Sequence, residues 1–177
     1  MEVLNKTIYG KRIKLRKLCH ADAQDIFNNI HDNEVSKNTP LKLPYNYEDC
    51  IAYIDRSTLN PAHKEFGIQH YDSKEIIGVI SIYNYTSKLP FIGYWLTKKF
   101  RKLGYAQESL ELLIKYCNIQ LRLKKIEATV FDTNLASIEL LKRNGFNYTK
   151  STIVSKANSS DEQTLEHYCF TEAIAST

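Results

Sequence analysis

Apolar positions along this 177-residue chain follow two periods in alternating blocks. Residues 12–18 alternate, with Ile13 and Leu15 set against Arg12, Lys14 and Arg16, and predict a strand with one buried face. Residues 21–30 carry Ala23, Ile26, Phe27 and Ile30 at helical spacing. Two prolines and no periodicity make 39–47 a loop. Asn46, with Asp49 three residues on, predicts a capped helix running to about Leu59 with Cys50, Ile51 and Ile54 inward; Pro61 ends it. Residues 65–71 alternate again with Phe66, Ile68 and His70 on one face. A turn at 72–74 leads to a long β-branched strand at 76–85, giving a hairpin. Residues 86–90 turn back into an apolar strand, 91–96. Farther on, the pattern predicts a strand at 125–131, a short helix at 136–144 ended by Gly145, and two strands, 146–154 and 166–170, joined by a polar loop. Only the strand–helix–strand unit needs a parallel crossover, so the sheet should be mixed.

The chain is organised around the turn within that unit. After the 91–96 strand come Lys98, Lys99, Arg101, Lys102 and Gly104, then Ala106, Leu110, Leu113, Ile114, Cys117 and Leu121 at helical spacing. A basic turn opening a helix suits a phosphate: free first-turn N–H groups point at the ligand, the dipole favours negative charge, and Gly104 lets the backbone approach. The same residues also describe an ordinary connection with solvated lysines.

Composition changes this picture little. Hydrophobic residues make up 43% and charged ones 25%, as in a globular protein of one domain spanning 1–177. A net charge of +4 permits an anionic ligand and is too small to argue for nucleic acid. Cys19, Cys50, Cys117 and Cys169 have neither CxxC spacing nor a nearby histidine at metal-ligand spacing, so free thiols in a reducing cytoplasm are expected and no metal site is. No stretch has the pattern of a signal peptide or a membrane span.

The residues now carry a resemblance. Arg101-x-x-Gly104-x-Ala106, opening a helix after a strand, matches the acetyl-CoA signature of the GNAT superfamily of N-acetyltransferases. Asn134-x-x-Ser137-x-x-x-Leu141-x-x-x-Gly145-Phe146 resembles its second signature. The run from Gly10 to Arg16 and Ile92-Gly93-Tyr94-Trp95-Leu96 are similar to the RimJ/RimL branch, which acetylates ribosomal-protein N-termini. The likeness covers about residues 10–170. It implies the α+β GNAT fold: three layers, α/β/α, with a mixed, mostly antiparallel sheet splayed between two parallel strands.

It also implies roles. Main-chain groups of Tyr94, Trp95 and Leu96 would pair with the pantetheine arm in a slot opened against residues 127–130. The amides of Leu103, Gly104, Tyr105, Ala106 and Gln107 would cradle the pyrophosphate. Arg101 and Lys102 would add charge, with Lys98 and Lys99 reaching toward the adenosine phosphate. Asn134 would bond the acetyl end, cap its own helix, or do both. A homodimer is what the branch suggests; no nucleic-acid or membrane partner is expected.

Acetylation needs a neutral amine, a donor to the developing oxyanion and a proton for the departing thiolate. Leu96 N–H is the expected oxyanion donor. Many relatives carry a tyrosine acid where this chain has Leu141, and the branch implies Ser137, one turn earlier, as donor to the sulfur; the alternative is a surface serine. The acidic residues the branch carries on its substrate side fall here at Phe91 and Lys156. Glu166, Asp161, Glu162 or a water relay are left as the base. His31 and His70 are further candidates by residue type, though a lone histidine is more often structural. Tyr45, Tyr47, Tyr83 and Tyr85 either line a cleft or simply pack. The expected activity is acetyl transfer from acetyl-CoA to a primary amine, with a protein N-terminus, a polyamine or an aminoglycoside as acceptor. A non-catalytic CoA-binding module and a nucleotide- or nucleic-acid-binding domain are the competing readings.

Overall fold

The computed structural model describes residues 6–30, 35, 38, 46–155 and 162–172. The expectations placed on His31, Tyr45, Lys156 and Asp161, and on most of the 39–47 loop, lie outside the described residues.

One sheet of eight strands runs in the order β1-β2-β3-β4-β5-β6-β8-β7. Its members are β1 (Ile8–Tyr9), β2 (Ile13–Lys17), β3 (Lys64–His70), β4 (Ile76–Tyr83), β5 (Phe91–Leu96), β6 (Lys125–Phe131), β7 (Phe146–Ser155) and β8 (Glu162–Thr171). Every neighbouring pair is antiparallel except β5 with β6. That exception is the crossover the sequence requires. The two-residue β1 is too short to show a period, and β8 starts four residues earlier than the pattern predicts because Glu162 to Leu165 pair with β7 despite their polarity.

Helices cover both faces. On one lie α1 (Ala23–Ile30) and α2 (Tyr47–Leu59), packed through Ala23, Ile26, Cys50 and Ile54 on Val79 and Trp95. On the other lie α3 (Tyr105–Ile119) and α4 (Leu135–Arg143), whose Leu110, Leu113, Cys117, Ile138 and Leu141 meet Ile80, Ile92, Ala128 and Val130. The capping box at α2 forms: Asn46 Oδ1 accepts from Asp49 N at 2.7 Å and Asp49 Oδ2 from Asn46 N at 3.2 Å. Among the described residues, no helix is long and apolar enough to cross a membrane.

One buried ion pair ties β2 to the start of α1. Arg16 donates from Nη1 and Nη2 to Asp22 at 2.8 and 2.6 Å, and Cys19 N–H donates to the same carboxylate at 2.8 Å. Burial pushes the Asp22 carboxyl up, but these donors outweigh it and hold its pKa below the ordinary 3.8. A depressed folded-state pKa gives stability that is present above the ordinary value and lost as pH falls toward the folded one. Denaturant melts should therefore show the midpoint falling in acid. Asp22→Asn should flatten that fall and cost about 3–5 kcal/mol at neutral pH, since Arg16 is left without its counter-charge.

Candidate functional site

The parallel pair opens almost as soon as it forms. Phe91 pairs with Glu127 and Ile92 with Ala128, and Glu127 N donates to Pro90 O at 2.8 Å. Beyond Ile92 the two strands part, while β5 stays on β4 to Leu96 and β6 stays on β8 to Phe131. The slot thus begins at Gly93 and Thr129, two residues later along β6 than the expected start at Glu127.

Hydrogen-bond parity decides which groups look into the slot. Thr97 N donates to Ile77 O at 2.9 Å. In an antiparallel ladder, bonded and non-bonded pairs alternate, so Thr97, Trp95 and Gly93 turn their main chains to β4. Tyr94 and Leu96 turn theirs to the slot. This corrects one expectation: the main chain of Trp95 is spent on Val79, its register partner, and its indole packs under α1 and α2. Leu96 O accepts from Arg101 Nε at 2.9 Å, which places Arg101 at the mouth as a brace on β5. Leu96 N–H remains directed into the slot.

Ser137 and Tyr94 meet on the α3–α4 side of this slot. Their hydroxyl oxygens are 2.6 Å apart. Burial pushes the Tyr94 phenol up to about 12, with the bond to Ser137 working against that shift, so it is protonated at neutral pH. The side chain of Tyr94, and not its main chain alone, is thereby a candidate group of the site. Strand alternation, which puts Tyr94 on the face of Ile92 and Leu96, was the available signal. Asn134 accepts from Ser137 N at 3.2 Å as the α4 cap. Leu141 is 1% exposed in the core.

At the far end, Gly104 caps α3 with φ 84°, left-handed backbone that a side chain would strain, and has no side chain to satisfy the first turn. The first amide to turn inward is Glu108 N, to Gly104 O at 3.1 Å. Those of Tyr105, Ala106 and Gln107 are left for an anion. The turn is braced by Arg12, from β2. Its Nη1 donates to Leu103 O at 2.8 Å and its Nε to Glu108 at 2.9 Å. The guanidinium lies 4.4 Å from the Tyr105 ring centroid, and Glu108 Oε1 also accepts from the Lys11 and Arg12 amides. His70 supports the same turn, its Nε2 3.0 Å from the Tyr105 hydroxyl and its ring against Phe100; here the structural reading of that histidine holds. Lys99 is drawn off to Glu75 at 3.3 Å. Arg12→Ala should weaken acetyl-CoA binding about tenfold, by freeing the Leu103 carbonyl and Glu108; calorimetry would measure it.

Uncapped amides at one end of an open strand edge and a hydroxyl pair beside that edge fit a long anionic thioester. The family profile described as acetyltransferase (GNAT) domain matches residues 12–147. This chain is a GNAT acetyltransferase. It is 31% identical over 140 residues to the uncharacterized N-acetyltransferase YoaA of Bacillus subtilis, covering 76% of this chain and 79% of that one. A GNAT-family acetyltransferase of Bacillus anthracis superposes with a TM-score of 0.83 at 20% identity, covering 94% of this chain and 98% of that one. RimL, the ribosomal L7/L12 α-N-protein acetyltransferase solved with coenzyme A, gives 0.82 at 19%, with the same coverages. GNAT enzymes use acetyl-CoA as co-substrate, and the slot and amides of this member fit it.

The remaining residues are dispersed. Glu166 pairs with Val130 and Ser151 behind β6, and its Oε2 accepts from the Tyr168 hydroxyl at 2.7 Å. It is on the α3–α4 face and separated from the slot by a strand. Tyr47 packs edge-on against Phe27, and Tyr83 is stacked at 5.1 Å on Phe91. Among the described residues, no group of three or more His, Cys, Asp or Glu could hold a metal.

Proposed function

We propose that this enzyme acetylates a primary amine by direct attack on the thioester of acetyl-CoA, a protein N-terminal α-amine being the first acceptor to test. The observation carrying it is the slot with Tyr94 and Leu96 main chain on one wall and the Tyr94–Ser137 pair beside it. The named acceptor of RimL supports the choice of amine. An α-amine, with a pKa near 8, also loses its proton more readily than a lysine.

Bound acetyl-CoA supplies an activated acyl group. The Tyr94 main chain would hold its pantetheine arm along the strand edge, and the Tyr105 to Gln107 amides its pyrophosphate. Leu96 N–H would donate to the carbonyl oxygen as negative charge grows there. Tyr94, protonated, would donate to Ser137 Oγ. The serine's own hydrogen is then free to turn to the departing sulfur. A small-molecule amine and a non-catalytic CoA-binding role are the alternatives.

Calorimetry with acetyl-CoA and with ATP, followed by thiol release over a panel of amines and peptides, tests the reading. Micromolar binding of acetyl-CoA and thiol release on a free N-terminus are expected. Thiol release from polyamines alone would redirect the reading to small molecules, and binding without release from any acceptor would favour the non-catalytic role.

A further inference from the structure

The face opposite Ser137 carries a polar cluster that the mechanism above does not use. Glu65 on β3 stands beside Ser81 on β4, and Ser81 beside Gly93 on β5, in one cross-strand row. All three look toward α1 and α2, because Phe66 and Ile68 point the other way. Gly93 leaves this end of the row bare where the slot begins. The Tyr83 ring leans over it, with Cε2 3.3 Å from where a Cβ on Gly93 would sit.

One hydroxyl meets the carboxylate directly and a second lies near it. Tyr53, on α2, donates to Glu65 Oε2. The Tyr83 hydroxyl shares a hydrogen bond with Ser81 and feels the charge of Glu65. His63 stands edge-on to Tyr83 at 5.1 Å. Between the end of α2 and the start of β3 lies a groove of about 600 Å³, lined by Tyr53, Arg56, Leu59, Pro61, His63 and Glu65 among others. Among the described residues, Glu65 is the one carboxylate of that lining. Adjacent strands are about 4.8 Å apart, so Glu65 stands about 10 Å from Gly93, where the slot begins.

We infer that Glu65 receives the acceptor's ammonium on the α1–α2 face, and that the acceptor is one presenting a single ammonium group. The inference rests on the acetyltransferase reading and supplies the base that Phe91 and Glu166 do not. One carboxylate facing Arg56 and His63 matches one positive charge; a polyamine would bring further ammonium groups against that guanidinium. Burial keeps the Glu65 carboxyl above its ordinary value, opposed by the Tyr53 bond and the charges of His63 and Arg56, which makes it a better proton acceptor. The ammonium N–H bond breaks and its proton passes to Glu65, through Ser81 or a water. The freed nitrogen lone pair forms the C–N bond as C–S breaks, the departing thiolate accepts a hydrogen bond from the Ser137 hydroxyl and takes its proton from solvent, and the nitrogen sheds its second proton to solvent. Tyr53 is a positioning residue, holding Glu65 in place.

The experiment is thiol release by the full chain with tyramine, a lysine-free peptide with a free N-terminus, and spermidine. Turnover should favour tyramine or the peptide over spermidine. Glu65→Gln should lower kcat and raise the acceptor KM, for a loss of about tenfold or more in kcat/KM, and Tyr53→Phe should do the same more weakly. In both variants the acetyl-CoA Kd should stay within about twofold, which also shows that they are folded. The proposal is overturned if spermidine is preferred, if neither single-ammonium acceptor is turned over, or if Glu127→Gln rather than Glu65→Gln removes acceptor binding. Failure of the unmodified protein to bind acetyl-CoA would instead strike the acetyltransferase reading itself.

Discussion

Ser137→Ala is expected to lower kcat about 100-fold and leave acetyl-CoA binding within about twofold, because in the proposed mechanism the serine acts on the leaving sulfur rather than on the bound thioester. The alanine keeps the α4 cap, since it is the Ser137 amide that meets Asn134. Tyr94→Phe should lose about tenfold in kcat by a different route. The Ser137 hydroxyl survives, but the phenol 2.6 Å away no longer occupies its lone pair and it falls back on water. Single-turnover measurements with acetyl-CoA in excess would separate these effects from product release. The double variant should be no worse than Ser137→Ala, as expected when one group works through the other. A Ser137→Ala enzyme with unchanged kcat would remove the serine from the chemistry.

Gly78→Ala should damage binding more than any single change in the basic turn. A Cβ there would sit 2.3 Å from Trp95 O and 3.0 Å from Leu96 Cα. Both are backbone, so no rotamer relieves the clash and β5 must move. The free direction is into the slot, which would narrow it where Leu96 N–H faces it. We expect a loss of about 1–3 kcal/mol in stability, as for an overpacked core, and a fall of about tenfold or more in acetyl-CoA affinity, read by thermal melts and calorimetry. Gly78→Ala binding acetyl-CoA normally would mean that the β4–β5 spacing does not set the slot.

Local patterns made much of this legible. The strand at 91–96, the basic turn and α3 announce themselves by periodicity and by Gly104, and the Asn46–Asp49 box by spacing. Long-range partners did not. Arg12 reaches Leu103 across 91 positions of sequence, and nothing in a run of alternating lysines and arginines distinguishes the one that braces the turn. Trp95 could not be told from Leu96 as a slot residue, because parity depends on the β4 register. The side chain of Tyr94 was readable as facing α4, yet its partner on another element was not. Glu65 sat in plain alternation on β3, unremarkable until Ser81 and Gly93 were aligned beside it. The base was sought near the C-terminus by likeness to the branch, while pairing put a carboxylate four strands away from β8, on β3.

Gln107 and Asn144 exchange amide hydrogen bonds, at 3.1 and 3.0 Å, joining the first turn of α3 to the C-cap of α4. On the proposed site, one helix would seat the nucleotide end of acetyl-CoA and the other carries Ser137, so this pair of side chains would act as a dimensional gauge between the two ends of a flexible substrate. Ligands that keep the nucleotide but alter the length of the arm would be read against that fixed span, and selectivity for acyl carriers would then reside far from the acyl group.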